Sequence, residues 1–200
     1  MKKLAVLISD AGTGTNLQAI IDGIESGKIN AKIIAVVSDT SKSPGLDRAR
    51  KHKLPIKIVS KKEDLLPVLK KLNIDYICLA GWKQIILDEV IDAFPSRIIN
   101  THPGLIPDSV NEVVKNPDGT LALWNKGKMT VTAMQNFLNG KHTYAGCTNH
   151  LLSHEFDFGP VFGRCFEKIK EGDTVQSLYT RLKKKENQIY VKTLIKLCNS

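Results

Sequence analysis

The chain has few residues that could staple or anchor it. Four cysteines stand among 200 residues, Cys78, Cys147, Cys165 and Cys198, and no two form a Cys-x-x-Cys pair. That spacing gives neither a zinc site nor a disulfide framework, and three of the four lie in apolar stretches where a thiol packs as a small hydrophobe. No metal is expected. No apolar run reaches the roughly 18 residues of a membrane span. The opening MKKLAVLIS passes at once into a Gly/Thr loop and an amphipathic helix. It therefore reads as a first strand rather than a signal peptide, with no membrane partner and a cytoplasmic location expected. Neither an RNA-binding aromatic signature nor a helix-turn-helix is present, so no nucleic-acid partner is expected. Acidic residues are outnumbered, 20 against 29 Lys and Arg, for a net charge of +9. Such an excess suits a solvated lysine surface or a phosphorylated or carboxylated small molecule.

What the chain does have is alternation. Buried-strand patterns at 3–9, 32–38, 56–59, 76–80 and 98–100 alternate with helical patterns near 16–26, 44–52, 62–72 and 84–93. This predicts an α/β fold, a Rossmann-like, mostly parallel twisted sheet with helices on both faces. Leu17, Ile20, Ile21 and Ile24 give the first helix its apolar stripe; Thr15 and Gln18 read as a capping box, and Gly27 as its end. The stretch 107–130 breaks the pattern. It has mixed polarity and an Asn-Pro-Asp-Gly turn signal, and reads as an irregular insertion with a hairpin. A short helix near 131–139, strands at 146–152 and 160–168, and a helix from about 174 to 198 follow, the last with Val175, Leu178, Tyr179 and Leu182 as its buried stripe. The whole of 1–200 reads as one catalytic domain, and the sequence leaves monomer or homodimer open.

Three stretches could carry chemistry. SDAGTGTN, 9–16, joins a strand to a helix, and its glycines would let backbone N–H groups approach an anion at the helix amino terminus. It is neither a Walker loop nor a GxGxxG fingerprint. Asn100 and His102 stand two apart at the carboxyl end of a strand, where open α/β sheets bind ligands. An amide donor and an imidazole there can polarise a carbonyl and move a proton. Asp157, between Phe156 and Phe158, is either an Asx turn or a carboxylate that sets a histidine's charge and orientation.

Taken together, the Gly-rich loop ending in Asn16, the Leu-Ala-Gly-Trp of 79–82, the Asn-x-His-Pro-x-Leu-x-Pro of 100–107 and the Asp-x-Gly-Pro-Val of 157–161 resemble the 10-formyltetrahydrofolate-dependent formyltransferases. The similarity runs from residue 3 to about 195, apart from roughly 108–130. The resemblance implies the formyltransferase fold and transfer of the formyl group of 10-formyltetrahydrofolate, a co-substrate, to the amine of glycinamide ribonucleotide in purine biosynthesis. It implies Asn100, His102 and Asp157 as the catalytic set. It implies Gly14, Thr15 and Asn16, with Lys185 and Glu186, as the substrate-binding residues. It implies Trp82, Lys83, Gln84, Ile85 and Ile86, together with Ser153, His154, Glu155, Phe156 and Asp157, as the stretches that cradle the folate.

Four departures from the family pattern stand out. The Gly-rich loop is about two residues longer, Gln84 stands where arginine is usual, Gly104 replaces the serine after His-Pro, and 107–130 replaces a short segment. Alternatives stay open: a formyltransferase for another amine such as an amino-sugar nucleotide, a formyltetrahydrofolate hydrolase, or a non-catalytic nucleotide- or folate-binding module.

Overall fold

The computed structural model describes residues 1–10 and 13–199. The chain divides into two compact units, Met1–Asn100 with Tyr190–Ser200, and Thr101–Ile189.

The first unit is built from strand–helix repeats. In order come β1 (Lys2–Ile8), α1 (Thr15–Glu25), β2 (Ala31–Ser38), α2 (Gly45–Lys51), β3 (Ile56–Ile58), a 3-10 turn at Lys62–Asp64, α3 (Leu65–Lys70), β4 (Tyr76–Leu79), α4 (Asp88–Ala93) and the start of β5 (Ile98–His102). The strands lie in the order β3-β2-β1-β4-β5, every pair parallel. Leu4 to Ile8 and Ile77 to Leu79 are almost wholly buried, as strands covered on both faces must be. The order reverses between β1 and β4, which makes their carboxyl ends the switch point where open α/β sheets place ligands.

Leu17, Ile20 and Ile21 bury the predicted stripe of α1, and Gly27, at φ 72°, ends the helix by returning its N–H to the Ile24 carbonyl. The predicted capping box is not formed. The cap is Gly14 in the left-handed conformation, Thr15 is already helical, and the Gln18 side chain bonds Asp22 instead. A Gly-Thr-Asn sequence lets glycine take the left-handed position, and that moves the cap one residue earlier. Tyr190, in the last helix α6 (Val175–Cys198), is fully buried, and its hydroxyl lies within 3.3 Å of the Leu79 and Ile99 carbonyls.

The second unit holds the rest of β5, α5 (Thr130–Asn139), the antiparallel pair β6 (Tyr144–Leu151) and β7 (Val161–Lys168), and α6 as far as Ile189. Its core joins Ala133, Met134 and Phe137 of α5 to Ala145 and Cys147 of β6, Cys165 of β7 and Leu178 and Leu182 of α6. Cys147 and Cys165 are register partners, both thiols free, with their sulfurs 3.0 Å apart. Between β5 and α5 the chain makes the expected small hairpin: Lys115 bridges Leu121 around the Asn116–Thr120 turn. Arg181 ties α6 to β7, its guanidinium shared between Glu167 and Asp173. Among the described residues, no helix is long and apolar enough to cross a membrane.

Candidate active site

The carboxyl end of β5 is held by a buried polar ladder. The Thr148 hydroxyl donates to the Gly104 carbonyl at 2.7 Å and accepts the Ile106 N–H at 3.1 Å. Thr101 donates to the Asn149 side chain at 2.9 Å. Arg164 bonds the Ile106 carbonyl and pairs with Asp108. These contacts fix the Pro103–Pro107 turn that follows His102. Asn100 and His102 are alternate residues of one strand, as the sequence requires.

His102 and Asp157 are brought together: imidazole Nδ1 lies 3.5 Å from the carboxylate Oδ1, with His102 only 2 % exposed. The other ring nitrogen, Nε2, donates to the main-chain carbonyl of Trp124 at 2.7 Å. Two acceptors thus face the two ring nitrogens. Asp157 sits at φ 49°, a left-handed position that Asp and Asn tolerate better than most residues. Its Oδ2 accepts the Gly127 N–H at 2.7 Å, and its carbonyl accepts the Trp124 indole N–H at 3.1 Å. Burial works to raise the Asp157 pKa, but the His102 hydrogen bond and charge, with the Gly127 N–H, hold it below the ordinary carboxylate value.

Sequence reasoning missed Gly127, His150 and the main-chain carbonyl of Trp124. Gly127 and that carbonyl act through main-chain atoms, which side-chain identity does not announce. His150 is fully buried, and its pKa is lowered to about 4, by burial first and then by the charge of His102. It is therefore a neutral neighbour; its apolar-looking strand gave no signal.

In the first unit the loop between β1 and α1 is braced from α2 and from the residues after β4. Arg48 Nε donates to the Thr13 carbonyl at 3.0 Å, and Nη1 to Gln18 at 3.0 Å. A Cβ on Gly14 would lie 2.7 Å from Gly45 Cα, so glycine is required there twice, by φ and by space. The Lys83 N–H donates to the Ser9 hydroxyl, and its ammonium pairs with Asp10. The Thr15 hydroxyl and the Trp82 indole N–H are buried with no partner among the described residues. Among the described residues, no acidic side chain occupies the first turn of α1. Residues 11 and 12 of the Gly-rich loop lie outside the described residues.

Of the other residues singled out, Gln84 bonds the Ser60 carbonyl, Ile85 is exposed and Ile86 is buried. Ser153 closes its own turn onto the Phe158 carbonyl, Glu155 pairs with Lys126, and His154 and Phe156 are exposed. Lys185 bonds the Phe166 carbonyl and Glu167, while the buried Glu186 pairs with Lys183. Among the described residues, no group of three or more His, Cys, Asp or Glu could hold a metal ion.

The imidazole of His102 and the carboxylate of Asp157 are side chains able to hold and move a proton. The sequence profile of the formyl transferase family matches residues 2–194, and the chain belongs to that family. Phosphoribosylglycinamide formyltransferase of Haemophilus influenzae is 31 % identical over 199 residues, covering 95 % of this chain and 84 % of its own length. The chloroplastic phosphoribosylglycinamide formyltransferase of Arabidopsis thaliana is 28 % identical over 207 residues, 98 % of this chain; the chain spans 65 % of that relative's length. Among solved structures, glycinamide ribonucleotide transformylase 1 of Symbiobacterium toebii superimposes with a TM-score of 0.84 at 30 % identity, covering 100 % of this chain and 88 % of its own.

Proposed function

We propose that this chain transfers the formyl group of 10-formyltetrahydrofolate to the amine of glycinamide ribonucleotide, residues 1–200 acting as one catalytic domain. The observation that carries the reading is the His102–Asp157 pair at 3.5 Å, which supplies the acid–base groups this chemistry needs. The names of the relatives support the same acceptor, and the glycine-capped amino terminus of α1 suits an anion.

The acceptor amine attacks the formyl carbon and the carbonyl oxygen becomes an oxyanion. The Asn100 amide and the His102 imidazolium stabilise that charge, a donor of this kind being worth about 10²–10³ in rate. The amine's proton moves through His102 to the departing folate nitrogen, for a further gain of about 10²–10⁴. Asp157 keeps the ring oriented. Backbone N–H groups of Gly14, Thr15 and Asn16 bind the acceptor phosphate, with the Thr15 hydroxyl as a further donor. Lys185 and Glu186 contact the ribonucleotide. Trp82–Ile86 and Ser153–Asp157 cradle the folate. Gln84, engaged at Ser60, leaves that cradle without the family's arginine.

The test is the loss of 10-formyltetrahydrofolate with and without glycinamide ribonucleotide, followed by mass analysis of the acceptor. A large acceptor-dependent rate and a formylated product support the reading. Equal rates would make the chain a hydrolase or give it a different amine, and a panel of amino-sugar nucleotides would find the latter. Asn16→Ala should raise KM for the acceptor with kcat little changed, because the phosphate is remote from the reacting carbon.

A further inference from the structure

His102 is closed in this structure. Both ring nitrogens face acceptors and 2 % of the residue is exposed. The closing group is the Trp124 carbonyl, which belongs to the 107–130 insertion. Gly104 is what lets it approach: a Cβ there would stand 1.7 Å from the Trp124 oxygen, a clash no small adjustment removes. Two departures from the family pattern, the insertion and the glycine after His-Pro, are therefore one device.

The device is held by contacts on either side of the carbonyl. The Leu105 N–H donates to the Leu123 carbonyl at 3.0 Å, and the Asn125 amide donates to the Pro103 and Ala133 carbonyls. The Trp124 indole N–H holds the Asp157 carbonyl, and the Trp124 ring lies 5.9 Å from Phe158 and 5.1 Å from the Lys126 ammonium. Asn125 sits at φ 58°. That conformation is less favourable for asparagine than the extended one, so rotating the Trp124–Asn125 peptide can turn the carbonyl off His102 without unwinding the flanking anchors.

We propose that the Trp124 carbonyl latches His102, and that Gly104 and Trp124 thereby set the ratio of formyl transfer to formyl hydrolysis. The inference rests on the transferase reading above. While the latch is closed, a bound formyl-folate meets no imidazole that could stabilise an oxyanion or carry a proton from water. Binding of the amine acceptor offsets the lost contacts and releases His102 when the intended nucleophile is in place. Two hydrogen bonds join Trp124 to the acid–base pair, each of ordinary strength, so weakening the latch should raise the open population, and with it hydrolysis, roughly tenfold.

The experiment compares wild type, Gly104→Ala and Trp124→Ala for loss of 10-formyltetrahydrofolate without acceptor and for transfer to glycinamide ribonucleotide. An alanine at 104 would meet the Trp124 carbonyl at 1.7 Å and His102 Nε2 at 2.9 Å, so its effect is read beside Trp124→Ala, which removes only the indole that holds the latch. Long-range ¹H–¹⁵N spectra of the imidazoles give a readout apart from activity. Wild type should show a hydrogen-bonded His102 Nε2–H that the folded variants lose, and their transfer-to-hydrolysis ratio should fall roughly tenfold. Ratios equal to wild type in a folded variant that has lost the Nε2–H signal overturn the inference alone. So does a wild type that transfers formyl while showing no such signal. A wild type that neither transfers nor hydrolyses overturns the transferase reading and this inference with it.

Discussion

Replacing Asp157 by asparagine isolates the contribution of its charge. The residue sits at φ 49°, where alanine would add a strain of about 1 kcal/mol from the left-handed backbone, whereas asparagine tolerates it. Asparagine also keeps an oxygen for the Gly127 N–H. What is lost is the negative charge 3.5 Å from the His102 ring. The net stability loss near pH 7 should be about 1 kcal/mol, the scale of one partly buried hydrogen bond, or about 2–4 °C in Tm for a chain of this size. The folded-state pKa of Asp157 is held below its ordinary value, so its contribution is present above the unfolded value of about 4 and is lost as pH falls through the folded value. The Tm gap between wild type and Asp157→Asn should therefore close on acidification below about pH 4 and stay open above it. Turnover should fall about 10²-fold or more, and the double variant with His102→Ala should fall little further, because the two residues act as a unit. Calorimetry from pH 3 to 8 with steady-state kinetics on the same samples tests both claims. A Tm gap that does not change across that range, or wild-type turnover in Asp157→Asn, would refute the pairing.

Other expectations are simpler to check. Gly14→Ala meets the Gly45 Cα at 2.7 Å and a positive φ, and should lose about 1–3 kcal/mol by urea denaturation while raising KM for the phosphorylated acceptor. Arg48→Met releases the Thr13 carbonyl and should also raise KM for that acceptor, leaving kcat within a few-fold; an acceptor lacking the phosphate should show no such change. Phe137→Ala opens the core of the second unit and should cost about 3–5 kcal/mol, measured by denaturation, with broadened amide signals in β6 and α6.

Strands and helices were legible because parallel strands buried on both faces leave unbroken apolar runs, and the helices between them keep a clean stripe. Ile77 to Leu79 and Leu17 to Ile21 show each pattern without ambiguity. Boundaries failed where local chemistry offered two answers, as at Thr15 and Gln18, where a glycine in a left-handed position outcompeted a side-chain cap. Asn100 and His102 could be placed from strand periodicity, and Asp157 joined them through the family pattern. The groups that close His102 could not be found the same way. A carbonyl is common to every residue, so nothing in the letters Trp124 marks its oxygen as the partner of a ring 22 positions away. Gly104 was visible as a departure, but its reason lies in a chain segment that packs against it only in the fold. The cysteine pair was invisible for a related reason: 147 and 165 meet through strand register, not through spacing.

The shortest strand carries a consequence for the chain's behaviour in a crowded solution. β3 is three residues long, ends the first unit's strand order and leaves Ile58 47 % exposed. An open edge of this kind invites a strand from another molecule. Here Pro55 precedes it, Lys57 sits at its centre, and Lys53, Lys61 and Lys62 flank it. A neighbouring copy approaching in register would have to stack ammonium on ammonium. Part of the positive charge that suits an anionic acceptor thus also serves as a guard against self-association, and exchanging these lysines for neutral residues would trade solubility for nothing the chemistry requires.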